Sequence, residues 1–102
     1  MSTYAYLEGE IVRWAEQRKI IPNSTPQAQL LKTMEELGEL TRATIKDQQE
    51  EIVDGVGDVM VTLIIYCALK DINLVHCMEV AYDAIKHRKG TLNSNGVFVK
   101  EA

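Results

Sequence analysis

The chain is poor in the residues that staple or punctuate small folds. It holds two cysteines and two prolines in 102 residues. Cys67 and Cys77 stand alone in apolar helical stretches, so they form neither a disulfide framework nor a zinc site and read as buried, reduced thiols. Aromatic residues make up only 6%, with one tryptophan and one phenylalanine. A core must therefore be aliphatic, which suits packed helices better than a sheet sandwich. Basic charge is scarce as well: 11 Lys and Arg stand against 15 Asp and Glu, for a net charge of −4. That excludes the basic footprint of a nucleic-acid binder. Long apolar runs are missing, since the longest, residues 59–69, is too short to span a bilayer. The amino terminus lacks the basic start and apolar run of a signal peptide. No internal repeat or low-complexity segment is visible. These absences predict one domain in the cytoplasm, with neither nucleic acid nor membrane as its partner.

What is present is helical periodicity. Thr3 stands where a side-chain oxygen caps a first helix over residues 4–18, with Leu7, Ile11, Trp14 and Ala15 on one face. Residues 20–24 read as a loop. Thr25 caps a second helix over 26–45, with Pro26 at the first position, where a missing N–H costs nothing. Its apolar stripe is Leu30, Leu31, Met34 and Leu37, continued by Thr41 and Ile45. A third helix over 49–69 carries Ile52, Val53, Val56, Val59, Met60, Leu63, Ile64 and Cys67, a face wide enough for the centre of a bundle. Residues 70–73 turn the chain into a fourth helix over 74–88, with Val75, Met78, Ala81, Tyr82 and Ile85 inward. Gly90 ends it. In the tail, 91–102, Asn93-Ser94-Asn95-Gly96 separates Thr91-Leu92 from Val97-Phe98-Val99 and signals a small hairpin. The expected fold is all-α: one domain over residues 1–102, a four-helix bundle with a short C-terminal hairpin or extended tail.

Acidic residues cluster on two of these helices. The second helix contains Glu35-Glu36-Leu37-Gly38-Glu39, whose glutamates three and four apart share a face. The third contains Asp54-Gly55-Val56-Gly57-Asp58, whose aspartates are also four apart. Like charges at this spacing repel, and two such pairs on neighbouring helices call for a cation. All-oxygen donors suit Mg²⁺, with Mn²⁺ as the alternative. Neither cluster contains the histidine that a di-iron helical site needs. Gly38, Gly55 and Gly57 lie inside the same clusters, although each glycine costs a helix about 1 kcal/mol. Close backbone approach or room for a ligand would offset that cost. On residue types alone a metal site and a solvated acidic face both stay open. Glu35, Glu50 and Glu51 suit the solvated face, whereas Asp54 and Asp58, set among valines, suit it less well.

At these residues the chain resembles the MazG-like nucleotide pyrophosphohydrolases, in their short single-domain branch. The resemblance runs from about residue 27 to residue 100. It is carried by Met34-Glu35-Glu36-Leu37-Gly38-Glu39-Leu40, by Gly57-Asp58-Val59-Met60-Val61-Thr62-Leu63, and by Ala81-Tyr82-Asp83-Ala84-Ile85-Lys86-His87-Arg88-Lys89-Gly90 with Val97-Phe98-Val99-Lys100. It implies Mg²⁺-dependent hydrolysis of a nucleoside triphosphate to the monophosphate and pyrophosphate. Carried over residue by residue, Glu36, Glu39 and Asp58 would be metal ligands. Glu35 would bind a second ion, orient water or accept its proton. The family pattern Glu-x-x-Asp would put a glutamate at position 55, where this chain has Gly55. Asp54 is the nearest replacement, and Glu51 with Asp54 matches the same spacing one turn earlier. That departure keeps a second reading open, a catalytically silent helical module that binds nucleotides or a protein partner.

The fourth helix ends on Lys86, Arg88 and Lys89. Such charges complement a helix C-terminus; the resemblance implies that they contact phosphate. Tyr82 reads either as a core aromatic or as a base-contacting residue, and Trp14 as core or as a stacking surface. His76 and His87 read as surface residues. The long apolar third helix calls for a covering partner, and the resemblance implies a homodimer or homotetramer with the site near the subunit contact.

Overall fold

The computed structural model of the chain describes residues 2–102. The Thr3 hydroxyl accepts from Tyr6 N (3.2 Å) and opens α1, Tyr4–Gln17. A single helical turn, α2 (Ile20–Asn23), follows Lys19, which is left-handed at φ 63°. It stands where a loop was expected, and it is bent, since Ile21 and Pro22 leave helical geometry. The Thr25 hydroxyl then accepts from Ala28 N (3.1 Å) and opens α3, Pro26–Ile45. After a tight turn comes α4, Gln49–Lys70. Asn73 accepts from His76 N (3.0 Å) to cap α5, Leu74–Ile85, which ends three residues before the expected boundary at 88. There the chain turns out of the helix to reach β1 (Gly90–Leu92), which pairs antiparallel with β2 (Phe98–Lys100). Asn93 accepts from the backbone of Asn95 and Val97 and holds the hairpin turn, with Gly96 at φ 79°.

The organising contact is α3 against α4, with α1 and α2 on another side of α4. α5 touches α4 near their shared turn, and among the described residues the hairpin packs on no other element. The result is an open shape. Its radius of gyration is 16.2 Å, against about 13 Å for a compact domain of this length.

Ala15 of α1 and Ile64 and Cys67 of α4 are buried as expected, whereas α3 buries a face other than the expected one. On α3 the buried residues are Thr33, Glu36 and Ala43, whereas Leu31 and Met34 of the expected stripe are 68% and 67% exposed. On α1 only Ala15 is buried, and α5 buries none of its apolar residues. On α4, Gly55, Thr62, Ile64, Ile65 and Cys67 are buried while Val53 and Val56 are exposed. The physical reason is close approach. Small residues and a hydroxyl pair join α3 to α4, and the Thr33 hydroxyl donates to that of Thr62 across the contact (2.8 Å). Leu31 and Met34 of α3 and Val53 and Val56 of α4 point away, onto surfaces this chain does not cover, while Ile64 and Ile65 stay in the core. Of the two cysteines, Cys67 is buried and Cys77 only partly so. By length and composition α4 as a whole is a helix that could cross a membrane. The apolar run read from residues 59–69 understated it, because Ile52, Val53 and Val56 extend that character past both aspartates.

Candidate active site

The buried face of α3 carries Glu36, a carboxylate only 8% exposed. Lys32, one turn earlier, is its ionic partner, with Nζ 3.5 Å from Glu36 Oε1 and 3.4 Å from Glu35 Oε1. Those two glutamates, Glu35 first, hold the Lys32 ammonium pKa above its ordinary value. Lys32 sits three and four residues before the acid pair, so ordinary helical spacing already put it there, yet it was passed over in the sequence. Glu35 itself is exposed.

Across from Glu36, α4 presents Asp54 and Asp58. Burial pushes the Asp58 carboxyl above its usual range, and the negative charges of Asp54 and then Glu36 push it further; Lys32 opposes them. Asp58 is therefore short of positive charge. Between the two helices lies a cleft of about 270 Å³ that Glu39, Glu51, Asp54 and Asp58 line together with Arg42 and Gln48. The structure thus brings Glu39, Asp54 and Asp58 to one cleft and sets Glu36 beside Asp58. It also admits Glu51, which sequence reasoning had ranked behind Asp54.

Position 55 explains itself. Gly55 is buried against α3, where an added Cβ would stand 3.3 Å from Leu40 Cβ and Cδ1. The helices meet too closely there for a glutamate side chain. The neighbouring Asp54 is exposed and lines the cleft.

These residues suit a hard divalent cation by donor type, since they are all carboxylates on facing helices. Among the described residues, no three acidic, histidine or cysteine side chains already stand close enough to hold a metal ion. Side-chain rotation would have to draw them together.

The basic residues expected to bind substrate are not brought to this cleft. Lys86 pairs with Asp83 (2.9 Å) and lies over the Tyr82 ring, 6.0 Å from its centroid. Arg88 and Lys89 line a separate hollow with Lys100 and Glu101. Tyr82 is 61% exposed, so it is not a core aromatic of this chain. His76 and His87 are exposed, as expected.

Comparison with known proteins adds three findings. Residues 15–85 match the family described as phosphoribosyl-ATP pyrophosphohydrolase. An uncharacterised 18.2 kDa protein from the rep–hol intergenic region of Haemophilus phage HP1 is 37% identical over 75 residues, which are 74% of this chain and 46% of that protein. The chain thus spans less than half the length of that relative. Among solved structures, a cyanophage S-2L MazG-like pyrophosphohydrolase, bound to dGDP and three catalytic Mn²⁺ ions per active site, superposes with a TM-score of 0.69. The match covers the whole of both chains at 21% identity.

Proposed function

The chain belongs to the phosphoribosyl-ATP pyrophosphohydrolase family, whose MazG-like members are all-α, and we propose that it hydrolyses a nucleoside or deoxynucleoside triphosphate to the monophosphate and pyrophosphate with the help of a divalent metal. The observation that carries this reading is the cleft between α3 and α4, which Glu39 of one helix and Asp54 and Asp58 of the other line together. The Mn²⁺ and dGDP held by the cyanophage neighbour support a divalent ion and a nucleotide. Mg²⁺ is the ion we assign, with Mn²⁺ as a working substitute.

In this mechanism Glu36, Glu39, Asp54 and Asp58 would hold the cation, which would offset the charge of the phosphates and activate a water. Glu35, exposed on the same helix as Glu36, would serve as the base for that water. Lys32 pairs with both Glu35 and Glu36 (3.4 and 3.5 Å) and so holds the two carboxylates side by side. Such chemistry asks the protein mainly for positioning and charge stabilisation.

The chain acts as a homo-oligomer, a dimer or a tetramer. Its open shape and the exposed apolar faces of α3 and α5 support this. In that assembly Lys86, Arg88 and Lys89 reach phosphates, and Tyr82 the base, from a second copy, since none of the four lines the acidic cleft of its own chain.

The test is a panel of canonical and modified nucleoside triphosphates, with phosphoribosyl-ATP among them, incubated with Mg²⁺ or Mn²⁺. Pyrophosphate and a monophosphate are expected from at least one, and Glu36→Gln and Asp58→Asn should abolish both. Release from none of them sinks the enzyme. Nucleotide binding without release would make the chain a silent nucleotide-binding module.

A further inference from the structure

The contact between α3 and α4 is polar where an apolar one would serve. Thr33 and Thr62 are 7% and 6% exposed, and their hydroxyl oxygens stand 2.8 Å apart. Thr33 Oγ1 also lies 2.8 Å from Gln29 O, and Thr62 Oγ1 2.8 Å from Val59 O, each about one turn back on its own helix. Among the described residues the Thr33–Thr62 bond is the one side-chain hydrogen bond that joins α3 to α4. Two valines of the same shape would pack there at little or no cost in stability. What they would lack is direction. Apolar contact is non-directional and lets two surfaces slide, whereas a hydrogen bond holds two atoms to one distance and angle.

This pair and the close approach of Leu40 to Gly55 bracket the candidate site. From Thr33 to Leu40 along α3, and from Thr62 back to Gly55 along α4, each helix makes about two turns. Glu36 and Glu39 lie inside that span on α3, and Asp58 lies inside it on α4. Glu36 follows Thr33 by three residues and Asp58 precedes Thr62 by four, so each acid shares a helical face with its threonine. A slide of α3 along α4 would carry Glu36 and Glu39 past Asp58, and a ligand set works only when it is held to within about 0.5 Å. We propose that Thr33 and Thr62 are positioning residues for the metal-holding carboxylates: their bond locks α3 against sliding on α4 and so keeps Glu36 and Glu39 opposite Asp58. The proposal rests on reading those carboxylates as cation ligands. Neither threonine touches the cation or the nucleotide.

Single substitutions test this cleanly, because each remaining hydroxyl keeps a carbonyl partner on its own helix. The full chain is titrated with Mn²⁺, bound and free ion being separated by electron paramagnetic resonance, and each variant is melted without metal. Thr33→Val and Thr62→Val should melt close to the wild type, yet raise the Mn²⁺ midpoint roughly tenfold, the lower end of what supporting side chains contribute at a metal site. The double variant should raise it no further than either single one, since both remove the same bond. Thr33→Ser, which keeps the hydroxyl, should restore the wild-type midpoint. A wild-type midpoint in both valine variants would overturn the positioning role and leave the hydrolase standing. So would a lower melting temperature with no change in midpoint, which marks packing alone, or additive effects in the double variant. A wild type that binds Mn²⁺ and releases no pyrophosphate, with the valine variants shifted as expected, would sink the hydrolase and support the positioning role. A wild type that binds no Mn²⁺ would overturn both.

Discussion

At the scale of single residues, burial of charge decides most of what can be said. Asp58 is held above its ordinary pKa by burial and by two like charges, so the folded state binds its proton more tightly than the unfolded chain. Stability therefore falls as pH rises from the ordinary value of 3.8 through the raised folded value, and the full penalty applies above it. Asp58→Asn should raise the metal-free melting temperature at neutral pH and have no such effect below the ordinary pKa. It should also remove any stabilisation by Mg²⁺ or Mn²⁺. A thermal melt with and without metal at two pH values reads both. Gly55 gives a second prediction. Alanine there asks Leu40 to yield by a few tenths of an ångström and regains about 1 kcal/mol of helix propensity, so Gly55→Ala should be close to neutral. Gly55→Glu, which restores the family letter, should cost about 1–3 kcal/mol by overpacking. Urea denaturation separates the two. The acidic residues that line the cleft were legible as residue types and spacing. The lack of a glutamate at position 55 was legible only as an anomaly, because the crowding there comes from Leu40 of another helix.

At the scale of elements, local chemistry was a good guide. The caps at Thr3, Thr25 and Asn73 and the hairpin turn at Asn93 are each made by a side-chain oxygen accepting from nearby backbone. Signals of that kind act within a few residues, so they can be read from the chain directly. The missed features were those with no local signature. The turn of α2 depends on a left-handed Lys19, and the early end of α5 on the path to β1. Gly90 tests the hairpin. A Cβ there would stand 2.2 Å from Val99 O and 2.9 Å from Lys100 Cα. Gly90→Ala should break the pairing of Gly90 with Lys100, seen as the loss of their cross-strand NMR contacts. The α3–α4 pair should melt as before, since the hairpin does not pack on it.

At the scale of the whole molecule, periodicity picked the helices but, on α3, missed which side faces in. An apolar stripe shows that a surface needs covering, but not whether the same chain covers it. On α3 the contact with α4 went to Thr33, Glu36 and Ala43, and the stripe of Leu31 and Met34 stayed outside. Exposed apolar side chains grouped in this way mark a surface suited to a partner. Light scattering behind a sizing column should therefore give a mass of at least twice the chain's 11.5 kDa. The double substitution Leu31→Glu with Met34→Glu should lower that mass or leave the chain aggregated, while a monomeric wild type would dispose of the assembly.

The aspartates of α4 carry one more consequence, during synthesis. By length and composition α4 is a segment that could span a bilayer. An aspartate near the centre of such a segment adds about 2.5–3.5 kcal/mol to the cost of insertion. Asp54 and Asp58 therefore weigh against entry into lipid, and replacing both with leucine should raise the insertion of α4 in a translocation assay.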